Sequence, residues 1–145
     1  MTLYEILRVK GSRVWTIRED QTVDEALRIL VHQKIGALPV LDDEKRLVGI
    51  ISERDIVRGC YENGRGLASM PVSWLMTRRV ITAEPEDEVS EIMEVMTGNR
   101  IRHVPVVRDG RLQGIVSIGD VVKSLLSDSR HQIQYLKEFI YGPEV

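Results

Sequence analysis

The chain contains two copies of one sequence pattern, and this duplication constrains its fold more than any other feature. Seven residues of the first copy recur 66 positions later: Val14, Thr16, Val23, Glu25, Ile35, Pro39 and Val40. A second series, from Arg46 to Val57, recurs after 65 positions, because the second copy lacks one residue in a turn. Such self-similarity marks a duplicated supersecondary unit that needs a neighbour to bury its apolar face. Function is therefore expected between the two copies.

The composition bounds the classes of function. The 145 residues match about one domain, without room for a separate catalytic domain. A net charge of −2, interspersed basic and acidic residues and 5% aromatics disfavour binding of nucleic acid. The single cysteine, Cys60, excludes an intramolecular disulfide and a CxxC-type metal site, so no metal is expected. Neither a membrane-spanning run nor a signal peptide is visible, and we expect a cytoplasmic protein without membrane association.

Hydrophobic periodicity predicts the order strand, helix, strand, strand, helix in each copy. In the first copy, β-formers alternate over Val14 to Ile17, and apolar residues then recur at helical spacing from Val23 to Val31. The predicted fold class is mixed α/β (α+β), with a short N-terminal segment and a C-terminal helix. The predicted boundaries are repeats at residues 9–60 and 74–127, a linker at 61–73 and the C-terminal helix at 128–145.

Two apolar segments flank the repeats. Leu3, Ile6 and Leu7 predict an N-terminal helical turn that ends at Gly11. Near the other end, an apolar stripe predicts an amphipathic last helix; it consists of Ile133, Leu136, Phe139 and Ile140. This stripe packs either on its own domain or on a second subunit, and the pattern leaves both possibilities open.

A glycine, a serine and an aspartate recur at the same spacing near the end of each copy. The segments are Gly49-Ile50-Ile51-Ser52-Glu53-Arg54-Asp55 and Gly114-Ile115-Val116-Ser117-Ile118-Gly119-Asp120. In each, a strand is predicted to end at the serine that begins a helix. Free amides at the helix start and a carboxylate that accepts hydrogen bonds from a diol would suit a nucleotide. The alternative is a capping box, which needs no ligand and which this motif alone favours.

The whole pattern resembles a pair of CBS domains, a family named after cystathionine β-synthase and also called a Bateman module. The resemblance is carried by the two Ser-x-x-Asp helix starts, by Ala37-Leu38-Pro39-Val40 and His103-Val104-Pro105-Val106, and by Trp74-Leu75-Met76-Thr77 before the second copy. It covers about residues 9–127. It implies that the two repeats pack with pseudo-twofold symmetry and leave two clefts that bind adenosine compounds.

The resemblance assigns nine residues to the first cleft. Asp120 would accept hydrogen bonds from the ribose hydroxyls, while Arg102 and His103 would contact phosphate. The full set is Trp15, Thr16, Ile35, Gly36, Arg102, His103, Ile115, Ser117 and Asp120.

The second cleft exchanges the roles of the two copies. Asp55 would bind ribose, and Arg54 would offer a cation to phosphate. The full set is Ile50, Ser52, Arg54, Asp55, Val80, Thr82 and Ile101. Because Gly36-Ala37 stands where the second copy has Arg102-His103, the clefts are expected to bind unequally.

The resemblance implies a regulatory module that senses an adenine nucleotide and signals through conformational or oligomeric change. AMP is the expected ligand, with ADP, ATP and NAD as alternatives. No catalytic residues, catalytic cofactor or enzymatic activity are expected, since neither a nucleophile with its base nor a metal site is visible. A homodimer and an unidentified protein partner are expected. The alternative is a ligand-free structural or dimerisation module that regulates a partner.

Overall fold

The computed structural model describes residues 1–11 and 13–142 of the chain. An N-terminal helix precedes the first repeat, which has the predicted order of strands and helices. These elements are α1 (Leu3–Lys10), β1 (Ile17–Arg18), α2 (Val23–Gln33), β2 (Ala37–Leu41), β3 (Leu47–Ser52) and α3 (Glu53–Asn63).

The second repeat follows two short 3₁₀ helices at Gly64–Ser69 and Val72–Trp74. Its elements are α4 (Val89–Asn99), β4 (His103–Arg108), β5 (Arg111–Ser117) and α5 (Ile118–Tyr141). The strand predicted over Val80 to Thr82 is absent from the structure. Only Ala83 pairs there, in a single parallel bridge to Val106. The mixed α+β class is confirmed.

The two hairpins share one register. In the first repeat β2 runs antiparallel to β3 and pairs Ala37 with Ser52, while β1 lies parallel to β2. In the second repeat β4 runs antiparallel to β5 and pairs His103 with Ser117. Each hairpin thus places its helix-starting serine opposite the first residue of the preceding strand.

Two apolar cores correspond to the two repeats. Helix α2 has apolar residues at helical spacing and buries Val23, Ala26 and Leu30 against the three-stranded sheet, while Thr22 caps its first turn. Helix α4 repeats this arrangement over the two-stranded sheet with Val89, Ile92 and Met96. Burial of the members of each cluster supplies most of the driving force for folding.

The segment in front of each repeat packs against the core of the other repeat. Leu3 and Ile6 of α1 are buried in the second core, whereas Val72 and Met76, which lie ahead of α4, are buried in the first. Thr2 bridges Glu88, and Pro71 makes the equivalent bridge to Thr22. This exchange brings the end of α1 to the start of α5.

Helix α5 is continuous from Ile118 to Tyr141, so the last helix of the second repeat and the predicted C-terminal helix are one element. Val121, in its first turn, is buried, and none of the following residues of the helix is. The apolar pattern of the repeat therefore ends before the helix does. Residues 143–145, the last of the predicted C-terminal span, lie outside the described residues.

Candidate functional site

Both Ser-x-x-Asp segments form capping boxes at the start of a helix. The Ser52 hydroxyl accepts a hydrogen bond from the Asp55 amide, and the Asp55 carboxylate accepts one from the Ser52 amide at 2.9 Å. Ser117 and Asp120 repeat this geometry, with the reciprocal bond at 2.9 Å. The capping interpretation therefore holds at both helices. Capping engages one oxygen of each carboxylate and leaves capacity for a further donor.

The second oxygen of Asp55 faces the segment that leads into the second repeat. Oδ1 accepts a hydrogen bond from the Thr77 hydroxyl at 3.0 Å, and the guanidinium of Arg58 lies 3.7 Å away. The backbones of Ile50 and Thr77 also pair, through hydrogen bonds of 3.0 and 2.8 Å. Asp55 is buried, and its partners are the neutral groups of Ser52 and Thr77 together with the solvent-exposed Arg58.

Asp120 has a charged partner instead. The Lys10 ammonium, at the end of α1, donates to Asp120 Oδ2 at 2.7 Å and to the Ile115 carbonyl at 2.9 Å. Burial of the carboxyl raises its pKa, but the hydrogen bonds from Lys10 and Ser117 outweigh burial and lower the pKa of Asp120 overall. Asp120 is therefore an ionised carboxylate held by an ammonium.

A cavity of about 440 Å³ opens between the repeats beside Asp55. This volume falls within the range of small-molecule sites. Its lining combines both repeats and the connecting segment: Gly36, Ala37, Ile50, Ser52, Glu53, Arg54, Asp55, Arg58, Thr77, Arg79, Val80, Ile81, Asn99, Arg100, Ile101, Arg102 and His103.

The cavity is strongly basic. Five arginines line it against two carboxylates, Glu53 and Asp55. Arg54 reaches across from the first repeat, and its Nη1 donates to the Arg100 carbonyl at 3.2 Å. Each guanidinium carries five donors, so Arg54 keeps donors for an anion. Apolar side chains such as Ile101 line the same cavity and offer a surface for a planar ring.

His103 lies in the wall of the cavity, next to Gly36. A Cβ at Gly36 would come within 3.0 Å of the imidazole, so glycine is what allows this close approach. Burial, followed by the positive charge of Lys10, lowers the pKa of His103 below its ordinary value against the opposing effect of Glu53. The imidazole is therefore neutral near pH 7 and becomes an additional cation only on acidification or beside an anion.

The structure brings most residues of the second predicted cleft together. Ile50, Ser52, Arg54, Asp55, Val80 and Ile101 all line the cavity, whereas Thr82 is not among its lining residues.

Three residues that were predicted for the first cleft, Gly36, Arg102 and His103, line this same cavity. The remaining six lie elsewhere. Ile115, Ser117 and Asp120 lie beside Lys10. Trp15 and Ile35 are partly buried against the first core, and the half-buried Thr16 directly precedes β1.

Sequence reasoning missed Lys10 and Thr77 as contacts of the two aspartates. Thr77 belongs to the quoted Trp74-Leu75-Met76-Thr77 motif, so its position was visible although its role was not. Lys10 had no such signal, because it lies before Val14, the first residue that recurs in the second copy, and reaches Asp120 only through the exchange of leading segments.

Two further features bear on the class of site. Among residues 1–11 and 13–142, no group of three or more His, Cys, Asp or Glu side chains is placed to hold a metal ion. Within the same part of the chain, no helix is both long and apolar enough to cross a membrane.

Comparison with known proteins places this geometry in a family. A model of the CBS domain matches residues 6–62 and again residues 72–127. The CBS domain-containing protein CBSX3, mitochondrial, of Arabidopsis thaliana is 37% identical over 150 residues, which cover 97% of this chain and 72% of that protein.

Solved structures show the same fold. The CBS-domain containing protein ATU1752 from Agrobacterium tumefaciens is 40% identical, with a TM-score of 0.82 over 86% of this chain and 98% of that one. The CBS domain pair of protein MJ0100, in complex with 5′-methylthioadenosine and S-adenosyl-L-methionine, is 30% identical, with a TM-score of 0.78 over 88% and 98% of the two chains. With both repeats matched and the fold shared over 86% of its length, the chain belongs to the CBS domain family as a tandem pair.

Proposed function

We propose that the chain is a regulatory module that binds an adenine nucleotide, with AMP as the first candidate and ADP, ATP or NAD as alternatives. The observation that carries the proposal is the cavity beside Asp55, which combines a carboxylate at a helix start, apolar walls and five arginines. Ribose hydroxyls would donate to Asp55, and the base would lie against Ile50, Val80 and Ile101. Phosphate would face the arginines.

The charge of the cavity distinguishes between adenosine compounds. A phosphate is attracted by the arginine cluster, whereas the sulfonium of S-adenosylmethionine is repelled by it. The structural relative MJ0100 forms a complex with 5′-methylthioadenosine and S-adenosyl-L-methionine, which supports an adenosine ligand for this fold. For this chain we therefore propose a phosphorylated adenosine.

The test is calorimetry on protein stripped of ligand, with AMP, ADP, ATP, NAD and 5′-methylthioadenosine as titrants. We expect the phosphorylated ligands to bind more tightly than 5′-methylthioadenosine and to raise the melting temperature with concentration. Asp55→Asn and Arg54→Gln should each weaken AMP binding about tenfold, since hydrogen bonds to charged groups contribute about 1.5 to 3 kcal/mol. Absence of heat and of thermal shift at millimolar concentrations of all five would refute the proposal.

Asp109→Asn is the matched control for Asp55→Asn. Asp109 has a φ of 51° in the turn between β4 and β5, a conformation that asparagine also adopts readily. The change removes the same charge outside the cavity and should leave AMP affinity unaltered. Arg54→Gln separates binding from capping, because Arg54 takes no part in either capping box.

A ligand-free structural module that regulates a partner is the second candidate. The complete capping boxes favour it, because they explain both aspartates without any ligand. Under that hypothesis Asp55→Asn would lower the free energy of unfolding, and none of the five calorimetric titrations would show binding. As a binding module, the chain would instead signal occupancy through altered rigidity or through altered pairing in a homodimer, for a protein partner to recognise. We propose no catalytic activity.

A further inference from the structure

The two equivalent aspartates, Asp55 and Asp120, differ in the groups that donate hydrogen bonds to them and to the carbonyl five residues earlier. In the first repeat, the Ile50 carbonyl accepts the Thr77 amide at 2.8 Å, and Asp55 accepts the Thr77 hydroxyl at 3.0 Å. In the second repeat, a single group contacts the equivalent carbonyl and the equivalent carboxylate, the latter at the oxygen that also accepts the Ser117 amide. The Lys10 ammonium donates to the Ile115 carbonyl at 2.9 Å and to Asp120 at 2.7 Å.

From this difference we propose that Lys10 is an internal occupant of the Asp120 cleft and decides which of the two clefts takes the nucleotide. The inference rests on the proposed function and goes beyond it by assigning one competent cleft per chain, the one beside Asp55. Lys10 thereby acts as a specificity-determining residue outside both predicted ligand sets.

The chemistry of the contact explains why it opposes a ribose. Asp120 Oδ2 already accepts the Ser117 amide and the Lys10 ammonium, so a ribose hydroxyl that donates to Oδ2, or to the Ile115 carbonyl in place of Lys10, must displace the ammonium. The ammonium contact is charge-assisted, and a neutral hydroxyl that replaced it would leave Lys10 without its carboxylate. In the Asp55 cleft the resident group is a neutral threonine hydroxyl, which can rotate and itself bond to the incoming ligand.

The backbone of α1 holds Lys10 in this place. Leu3 and Ile6 are buried in the second core, and Leu7 packs on Gly114, where an added Cβ would lie 2.6 Å from its side chain. At the other end of α1, the amides of Leu3 and Tyr4 donate to the carbonyls of Asp87 and Pro85 at 3.0 and 2.9 Å. The ammonium therefore belongs to a helix whose backbone and apolar side chains are fixed against the second repeat.

The test is calorimetric titration of AMP into ligand-stripped wild type and Lys10→Met, which removes the ammonium and keeps an unbranched apolar side chain that is one atom shorter. We expect one AMP per wild-type chain and a second site in Lys10→Met. That second site should be lost in Lys10→Met/Asp120→Asn but kept in Lys10→Met/Asp55→Asn. Removing a charge-assisted competitor should tighten binding at the Asp120 cleft about tenfold or more.

Arg8→Met is the matched control, because it removes a cation from the same helix and should leave the wild-type stoichiometry of one. Melting temperatures of all variants show that each is folded.

Two AMP molecules per wild-type chain, or weaker AMP binding by Lys10→Met, would overturn the inference alone; the second result would make Lys10 a phosphate ligand. Absence of AMP binding by every variant would instead refute the proposed function, and with it this inference.

Discussion

The Lys10 ammonium lies 2.7 Å from Asp120 Oδ2, so the last residue of the first helix is paired with the first turn of the last helix. The two residues are 110 positions apart in sequence. Both side chains are partly exposed, at 39% and 26%. The pair therefore links α1 to the second repeat at a point that solvent and ligands can reach.

A double-mutant cycle should detect this pair in the free energy of unfolding. From urea melts of Lys10→Met, Asp120→Asn and the double variant at pH 7, we expect a coupling on the order of 1 kcal/mol, as for partly exposed ion pairs. Because the pKa of Asp120 is lowered on folding, this contribution is present above its unfolded value of 3.8. It should disappear as the pH falls through the folded pKa, and an undiminished coupling at pH 2.5 would contradict an ionic interaction.

Acidification should also act through His103. Its pKa is lowered on folding, so the unfolded chain binds more protons than the folded one just below the ordinary value of 6.5. Stability should therefore fall as the pH falls from about 6.5, until the folded imidazole is protonated as well. Urea melts of wild type and His103→Gln between pH 7.5 and 5 measure this effect, and an equal pH dependence of the two proteins would exclude it.

The pKa of His103 should respond to changes in both clefts. Removal of Lys10 abolishes one of the charges that lower its pKa, so the pKa of His103 should rise in Lys10→Met. A phosphate bound in the cavity should raise it further, because a nearby anion favours the imidazolium. Proton NMR titrations with and without AMP follow this resonance, with Arg8→Met as the charge-matched control. An unmoved resonance in Lys10→Met would mean that Lys10 and His103 are electrostatically independent.

Two equivalent glycines should differ in their tolerance of a methyl group. At Gly49 an added Cβ would lie 2.6 Å from Met76 Sδ and 3.0 Å from the Thr77 backbone carbonyl. At Gly114 it would meet only the end of the Leu7 side chain below 3.0 Å. We expect Gly49→Ala to lower the free energy of unfolding by about 1 to 3 kcal/mol, as in overpacked cores, and Gly114→Ala to cost less.

Gly98→Ala is the control for these two variants. Gly98 lies in α4 with no atom within 4 Å of an added Cβ, so alanine should be neutral or stabilise by about 0.4 to 1 kcal/mol. Equal losses for Gly49→Ala and Gly114→Ala in urea melts would show that the backbone contact at Thr77 has no effect.

The fold was predictable because its signals are periodic and duplicated. The two copies match in the order of their strands and helices, and in the structure their hairpins pair equivalent residues, Ala37 with Ser52 and His103 with Ser117. The predicted strand at Val80 to Thr82 was wrong, because β-forming residues there leave the sheet and two of them line the cavity. Local β propensity does not determine whether a segment lies beside a strand with which it can pair.

The candidate site was only partly predictable, for a related reason. Ser52 and Asp55 carry a local motif and were recognised from their spacing. The positions of Lys10, Arg79 and Arg100 depend on the exchange of leading segments and on how the two repeats face each other. These tertiary relationships give no periodic pattern in the sequence, so no short segment of the chain predicts them.

Association of two chains should involve the end of α5. On this helix the four residues of the apolar stripe are between 53% and 80% exposed: Ile133, Leu136, Phe139 and Ile140. A contiguous apolar surface of this kind marks an interaction site, because soluble monomers avoid exposing it. The first possibility considered for the stripe, packing on its own domain, is not what the structure shows, and a second copy of the chain is the expected partner.

Light scattering at micromolar concentration should therefore give a mass well above the 16.6 kDa of one chain. Leu136→Glu should shift the protein towards that monomer mass, because it places a charge in the middle of the stripe. Gln134→Glu is the matched control, since it adds the same charge on the opposite face of the same helix and should leave the mass unchanged. A wild-type mass of 16.6 kDa, or equal dissociation by both variants, would show that the stripe does not join two chains.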